Sequence, residues 1–439
     1  MEKNHRLAVI DLGSNAVRLL LADYVPGVTF RFVETARRRV RLSEGMGRED
    51  ILRPAAMERT IAALNTFRAH CLEQGAKRIV AVATAAVRDA ANREEFLAKI
   101  RAEAGLDFRV LTGEEEARIG VIAASNSLGL REGLALEVGG GSAQVSVVHE
   151  GLFHRGASFP AGAVRLTESF FKSDPVGGEE FDRLHAYIAG IFEEAEWMTL
   201  TGGKLVGLGG AAGALAAIDR EARRYPLNLV NGYELELPRL ENLIALMREL
   251  PAAERVMKLP GLKPDRADII LAGAMVAAAA MRRAGVDRLL VCEQGLRAGI
   301  FYQEFLTPSA SPVIPDLRHF SVLNVARRYT GDTSAADRAG EIALSFVNQL
   351  PDSFSAEDRD CLWASAQLRA LEGRAGDDDL RAVILGEGLP GYTHRETVLI
   401  ALLSASRSGK PVLGKYAGLF ERGEEERLAR LAAAMGEIN

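Results

Sequence analysis

The sequence has few of the residues that mark disulfide scaffolds, metal–histidine sites and membrane spans. Its 439 residues include only 3 cysteines, 7 histidines and 2 tryptophans, and aromatic residues make up 6% of the chain. Cys71, Cys292 and Cys361 lie far apart, which indicates a reducing compartment, so a cytoplasmic location is expected. The longest apolar run, residues 269–281, is shorter than the roughly 20 residues that a membrane-spanning helix needs. No membrane association is therefore expected.

An excess of positive charge is also missing. The 54 lysines and arginines are outnumbered by 59 aspartates and glutamates, which gives a net charge of −5. Nucleic acid is therefore not an expected partner, and any phosphate-rich ligand would need a local basic patch. The densest basic cluster is Arg37–Arg39 with Arg41. It is interpreted either as the solvated edge of a strand or as a local polyanion site.

The chain is long enough for several domains, and its pattern contains an internal repeat. Strand and helix signals alternate from the N-terminus, and the pattern restarts near Leu134. Residues 10–15 and 136–142 share one order: an apolar residue, an acid, an apolar residue, a glycine, then small residues leading into a strand. This repeat predicts two related α/β halves, with both glycine turns at the floor of a cleft. Residues 307–312 have linker composition, and the sequence beyond them reads as all helical.

The glycine turns carry the first indication of function. Glycine after a buried strand lets backbone N–H groups approach an anion, and an acid at the strand end is placed to hold a divalent metal. A third turn, Gly207–Gly210, follows another predicted strand. None of the three turns has the spacing of a Walker A loop, and the first two lead into strands, whereas a dinucleotide-binding fingerprint opens a helix. Together they favour a phosphate site of another type.

Three consecutive acids, Glu114–Glu116, open a predicted helix after Thr112. Thr112 and Glu115 fit a capping box, which accounts for Glu115 but leaves Glu114 and Glu116 as candidates for a general base. Spacing alone does not choose between them. Arg88 follows a buried strand, where it could pair with Asp89 or Glu94 or bind phosphate.

These motifs together resemble those of the exopolyphosphatase and guanosine pentaphosphate phosphohydrolase (Ppx/GppA) family. The matching blocks extend over about residues 6–305 and are, in chain order, 11–15, 83–92, 112–118, 137–142, 163–168, 207–210 and 294–299. The resemblance implies an α/β fold of two actin-like (ribonuclease H-like) domains with a cleft between them. The expected domains are residues 1–128, residues 129–306 and an all-α C-terminal domain, residues 313–439.

The resemblance also implies an activity, a metal and a set of site residues. The implied reaction is Mg²⁺- or Mn²⁺-dependent release of terminal orthophosphate from inorganic polyphosphate. Glu116 would be the general base, and Asp11 and Glu137 would hold the metal. The terminal phosphate would be bound by Ser14, Asn15, Arg88, Gly140, Gly141, Ser142 and Gly209. A homodimer is expected.

Two positions depart from the family pattern. Glu137 stands where an aspartate is usual, and Gln144 stands where a glutamate is usual. Gln144 removes a negative charge from the expected metal neighbourhood, so weaker or differently selective Mg²⁺ use is predicted. The C-terminal region resembles the HD-type domain of longer family members. Arg369 and Arg381 occupy positions where histidines are expected, so no metal chemistry is predicted there.

Two other functions stay open beside exopolyphosphatase. The first is hydrolysis of the 5′-phosphate of pppGpp, which would use the same site with a nucleotide pocket that leaves no readable motif. The second is a non-hydrolytic regulator that binds phosphate or (p)ppGpp. Glu116 argues against the regulator, whereas Glu137 and Gln144 argue mildly for it.

Overall fold

In the computed structural model of the protein, residues 5–46, 49–200, 202–330, 333–369, 371, 380–405 and 412–437 are described. The chain forms two compact units. The first contains residues 1–223 and 233–313, and the second contains residues 224–232 and 314–439. Both predicted α/β halves lie in the first unit. Their separation into domains at residue 128 stays a prediction.

The first half of the first unit is built on a five-stranded sheet. Its order is β3-β2-β1-β4-β5, with β1 antiparallel to β2 and parallel to β4. The strands are β1 (His5–Leu12), β2 (Ala16–Val25), β3 (Thr29–Arg39), β4 (Arg78–Ala83) and β5 (Phe108–Val110). Residues 7–12 of β1 are fully buried because the strand is central and covered on both faces.

The second half repeats this sheet and adds one strand. Its order is β8-β7-β6-β9-β11-β10, so β6, β7 and β9 occupy the places of β1, β2 and β4. The strands are β6 (Gly133–Val138), β7 (Ala143–His149), β8 (Leu152–Phe159), β9 (Lys204–Leu208), β10 (Tyr233–Glu236) and β11 (Arg288–Cys292). Asp11 pairs with Arg18 across the first hairpin, and Glu137 pairs with Gln144 across the second. The internal repeat is therefore a repeat of structure.

Eleven helices of the described first unit pack on these sheets. They are α1 (Pro54–Glu73), α2 (Ala85–Arg88), α3 (Arg93–Ala104), α4 (Gly113–Leu128), α5 (Ala163–Phe170), α6 (Gly178–Glu193), α7 (Gly209–Ala222), α8 (Leu237–Glu249), α9 (Ala252–Lys258), α10 (Ile270–Ala284) and α11 (Leu296–Phe305). Nearly all of the apolar run at residues 269–281 lies in α10, which begins at Ile270 after a separate 3-10 turn over residues 264–266.

In the second unit, residues 314–439 are mainly helical over the part described, whereas residues 224–232 form no helix or strand. Its helices are α12 (Leu317–Thr330), α13 (Thr333–Asn348), α14 (Ala356–Arg369), α15 (Leu380–Glu387), α16 (His394–Ala405) and α17 (Glu425–Gly436). Trp363 and Leu399 lie in its core, and Arg369 donates to the carbonyl of Met435 at 2.6 Å. The predicted fold class, two actin-like α/β halves followed by helices, is confirmed. Likeness to an HD-type domain stays a prediction.

Across the described ranges, none of the helices combines the length and apolar character that a bilayer crossing requires.

Candidate active site

The first two glycine turns have the same geometry and face each other. In the first turn (residues 13–15), the N–H of Gly13 donates to the carbonyl of Ala16 at 3.1 Å. In the second turn (residues 139–142), the N–H of Gly139 donates to the carbonyl of Ser142 at 2.9 Å. A Cβ added at Gly140 would lie 2.8 Å from the Cβ of Ser14. Glycine is therefore required at 140 for this close approach.

Four backbone donors in these turns are left without acceptors. Over the described part of the chain, no hydrogen bond is donated by the amide N–H of Ser14, Asn15, Gly140 or Gly141. The carbonyls of Ser14 and Asn15 do accept bonds, from residues 40–43, so the backbone of the first turn is held in place. Converging N–H groups without acceptors form an anion-binding concavity. The structure thus brings four of the predicted phosphate-binding residues together.

The third glycine turn (residues 207–210) approaches the carboxylate of Glu137. Gly209 has a φ of +73° and begins α7, and a Cβ there would lie 3.1 Å from Oε1 of Glu137. The carboxylate of Glu137 lies beside this turn because β6 pairs with β9 in parallel register. The side chain of Arg266 occupies the place that a Cβ at Gly210 would need. Gly209 therefore contacts a predicted metal ligand in the structure.

The three acids at the start of α4 have different surroundings and partners in the structure. Glu115 completes the capping box, since its carboxylate accepts from the N–H of Thr112 at 2.8 Å and Thr112 Oγ1 accepts from its N–H. Glu114 lies at the surface and pairs with Arg118 at 2.6 Å. The Glu116 side chain is only 12% exposed and forms a direct ion pair with Arg88. Of the two candidates for the general base, only Glu116 lies near Asp11 and Glu137, the acids that precede the first two glycine turns.

Burial raises the pKa of two carboxyl groups in this region. The pKa of Glu116 is raised to about 7 by desolvation, and repulsion from Glu137 and Asp11 adds to the shift, while Arg88 opposes it. The pKa of Glu137 is also raised to about 7, again by desolvation first, with Arg18 opposing and Asp11 adding. A carboxylate with a pKa near neutrality is well matched to general base catalysis at that pH.

Arg88 stands at the end of α2 and has several partners. Its Nη1 donates to the carbonyl of Leu111 at 3.0 Å and to the Glu116 carboxylate, and its Nε lies 3.4 Å from Asp89. Asp89 in turn pairs with Arg165 at 3.2 Å, whose N–H donates to the carbonyl of Gly140. Glu94, the alternative partner considered from the sequence, pairs with Arg93. Arg88 is thus paired directly with the candidate base and linked through Asp89 to Arg165.

Three further arginines gather beside the turns, and sequence reasoning did not assign two of them. Arg18, Arg37 and Arg266 line a small cavity together with Asn15, Gly139 and Gly140. The pKa of Arg266 is lowered to about 9 by burial and by repulsion from Arg37 and Arg18. Arg18 could have been noticed as a charge inside the apolar strand β2. Arg266 had no comparable signal, because the fold alone brings residue 266 to this place.

Because side chains alternate along β3, Arg37 and Arg39 of the basic cluster lie on one face of the strand and Arg38 lies on the other. Arg37 pairs with Asp265, and Arg39 pairs with Asp268 at 2.8 Å. Arg41 also pairs with Asp268, whereas Arg38 is exposed and has no ion pair within the described ranges. The Nε and Nη2 atoms of Arg37 are buried without a hydrogen-bond partner. Only Arg37 of this cluster therefore reaches the cavity beside the turns.

The predicted metal ligands are the carboxylates of Asp11 and Glu137. Nowhere in the described residues do three or more histidine, cysteine or acidic side chains form a group that could hold a metal. Asp11 and Glu137 do lie close enough to repel each other, and Asp11 is 3.5 Å from Arg18. Mg²⁺ in phosphoryl-transfer sites takes one or two carboxylates and completes its shell with substrate and water. Two carboxylate donors fit that pattern.

Comparison with known proteins places this geometry in context. The model of the Ppx/GppA phosphatase family matches residues 21–307. Exopolyphosphatase 1 of Mycobacterium bovis is 30% identical over 314 residues, which cover 68% of this chain and 88% of that protein. Exopolyphosphatase 1 of Mycobacterium leprae is likewise 30% identical over 314 residues, covering 68% of this chain and 89% of that one.

Solved structures give the same result. The crystal structure of the Aquifex aeolicus member of the Ppx/GppA family is 30% identical with a TM-score of 0.60, and the match covers 70% of this chain and all of that one. An exopolyphosphatase structure from Cytophaga hutchinsonii has a TM-score of 0.65 at 23% identity and covers 71% of this chain. The second match supports the fold alone. The family model ends at residue 307, before the helical residues 314–439 of the second unit.

Proposed function

The chain belongs to the Ppx/GppA phosphatase family, and from this premise we propose that it is an exopolyphosphatase that releases terminal orthophosphate from inorganic polyphosphate. The observation that carries the proposal is the pair of facing turns with four backbone N–H groups that lack acceptors. They lie next to Arg88 and a glutamate whose pKa is about 7. Such an arrangement can hold a phosphoryl group and supply a base beside it.

The chemistry follows from the charges around the bound phosphoryl group. Glu116 accepts a proton from the attacking water, whose oxygen forms the new bond to the terminal phosphorus. The bond to the bridging oxygen breaks, and that oxygen leaves with its electron pair on the shortened chain. The amides of both turns and the guanidinium of Arg88 stabilise the negative charge on the phosphoryl oxygens. Catalysis of this kind is mainly positional and electrostatic.

A metal has a defined place in this proposal. Asp11 and Glu137 are the residues that would hold Mg²⁺ or Mn²⁺, which when bound would polarise a phosphoryl oxygen. Proton acceptance and charge stabilisation, as described above, are carried out by residues of the chain. Arg18 and Arg297 keep positive charge beside the two carboxylates, since both attract Glu137 and oppose the rise of its pKa.

Polyphosphate is favoured over pppGpp by the cavity beside the turns. Three of its lining side chains, those of Arg18, Arg37 and Arg266, are arginines. A run of phosphates offers negative charge to all three cations, although Arg18 and Arg37 also pair with acidic residues of the chain. The names of the mycobacterial relatives agree with this choice.

The test compares orthophosphate release from long-chain polyphosphate and from pppGpp, side by side, with Mg²⁺. Wild-type protein is expected to use polyphosphate faster. Glu116→Gln should lose activity on both, while the matched control Glu114→Gln, which changes the surface carboxylate two residues earlier, should keep it. Binding without release of orthophosphate from either substrate would contradict the proposal and support a regulator. Faster release from pppGpp would support the other phosphohydrolase.

A further inference from the structure

Gln144 is a buried polar residue inside the candidate site, and the reaction described above does not use it. It is the second residue of β7 and only 3% exposed. In the antiparallel register it stands directly opposite Glu137. Its counterpart in the first half is Arg18, which stands opposite Asp11 and forms an ion pair with it. The two halves thus place different side chains, an arginine and a glutamine, opposite equivalent carboxylates.

The amide of Gln144 connects two serines. Its Nε2 lies 2.7 Å from Oγ of Ser142 and 3.2 Å from Oγ of Ser158. An amide nitrogen carries two hydrogens and has no lone pair to accept with, so both serine oxygens accept from it. Ser142 is 8% exposed and belongs to the second glycine turn. Because its oxygen already accepts one bond, its own hydroxyl hydrogen is directed to another acceptor.

We propose that Gln144 is a positioning residue that fixes the hydroxyl of Ser142 as a hydrogen-bond donor to the terminal phosphoryl group of the substrate. The proposal rests on the proposed function, since it assigns a role within the same phosphate site. A carboxylate at position 144 can only accept, so it would take the Ser142 hydrogen for itself. The lone pairs of Ser142 would then face the phosphoryl oxygens. Gln144 also keeps a further negative charge away from Glu137.

Ser158 provides an internal control for this role. It shares the amide of Gln144 with Ser142, but it lies on β8, and its Cβ is 2.8 Å from the place of a Cβ on Gly113 at the start of α4. Ser158 therefore packs against the helix that carries Glu116. It does not belong to either glycine turn, and removal of its hydroxyl leaves the contact between Gln144 and Ser142 in place.

The experiment measures binding of inorganic phosphate by calorimetry, with metal removed by chelation, so that it does not depend on turnover. Gln144→Glu should weaken binding roughly tenfold or more at pH 8, which is the size expected when a hydrogen bond to a charged group is lost. At pH 5.5 the ratio of the variant's phosphate Kd to that of wild type should shrink, because a protonated carboxyl can donate a hydrogen bond as the amide does. In a Ser142→Ala background the same replacement should have little effect. Ser158→Ala should bind phosphate within about threefold of wild type.

Several results would overturn the inference. One is a Gln144→Glu variant that binds phosphate as tightly as wild type at pH 8, and another is a loss that persists in full in the Ser142→Ala background. If Gln144→Glu does not fold, Gln144→Leu replaces it, and wild-type affinity in that variant contradicts the role. Wild-type protein that does not bind phosphate also overturns it. Phosphate binding with no hydrolysis of polyphosphate would contradict the proposed function alone.

Discussion

The ion pair between Arg88 and Glu116 makes a sharp prediction about the pH dependence of activity. Glu116 acts as a base only when ionised, and its pKa is about 7. The rate constant kcat/KM of the wild-type enzyme is therefore expected to rise with pH and to level off above a midpoint near 7, because this profile reports groups of the free enzyme. Arg88 favours the ionised form, so replacing it with alanine should move that midpoint upward.

The size of the shift follows from the geometry. Two unit charges about 4 Å apart interact by about 4 kcal/mol at an effective dielectric constant of about 20, which corresponds to about 3 pKa units. The two side chains are 21% and 12% exposed, so water screens part of this interaction. Arg88→Ala is therefore expected to raise the midpoint by roughly one to two pH units, in keeping with the usual effect of a neighbouring arginine. Arg88→Lys keeps the charge and should keep the midpoint near that of wild type.

The assay is orthophosphate release from polyphosphate between pH 5.5 and 10 at fixed Mg²⁺ and ionic strength. Arg118→Ala is the matched control, because the ion-pair partner of Arg118 is the neighbouring Glu114. The height of the plateau will fall in both Arg88 variants, since Arg88 is also proposed to bind the phosphate, but the midpoint is independent of that height. A wild-type midpoint near 4.5, or an unchanged midpoint in Arg88→Ala, would refute the reasoning.

Three further outcomes are expected. Glu137→Gln should stabilise the protein at pH 8 by up to about 3 kcal/mol, because a carboxyl whose pKa is raised to about 7 in the folded state costs stability once the pH exceeds its pKa in the unfolded chain. The gain in Tm should vanish near pH 4.5. An equal gain at both pH values would contradict this cause. Gly140→Ala should weaken phosphate binding by roughly tenfold or more, because its Cβ would meet Ser14 at 2.8 Å, whereas Gly190→Ala, with open space around it, should not. Replacing Arg37, Arg38 and Arg39 with alanine should raise KM for long polyphosphate more than for triphosphate, and equal effects would leave these side chains as surface charge.

Much of the fold could be read from local patterns. The helix predicted to open at Thr112 begins at Gly113 with the expected capping box, and Gly105 ends α3 in the left-handed conformation, with a φ of +59°. The repeat of acid and glycine in residues 10–15 and 136–142 predicted two related α/β halves, and the structure has two sheets with a shared arrangement of their first strands. These features depend on neighbours in the chain, and such signals are the ones that a sequence displays.

The site was only partly predictable. The three glycine turns and the acids beside them were found because each is a contiguous motif after a strand. Spacing could not choose between Glu114 and Glu116, since both lie in the first turn of α4 and differ only in the direction each side chain takes. Arg266 was not assigned, because it reaches Gly210 and Arg37 from distant parts of the chain.

What local sequence decided here is therefore the set of elements and turns, and with them the family. Tertiary structure decided which charges meet: Arg88 with Glu116, Arg37 with Asp265, and Glu137 with the third glycine turn. It also decided where positive charge gathers in an acidic protein of net charge −5: Arg18, Arg37 and Arg266 line one cavity beside the glycine turns, and Arg39 pairs with Asp268. The reason is physical, since pKa shifts and ion pairs depend on distance and burial, which arise only when remote segments pack together.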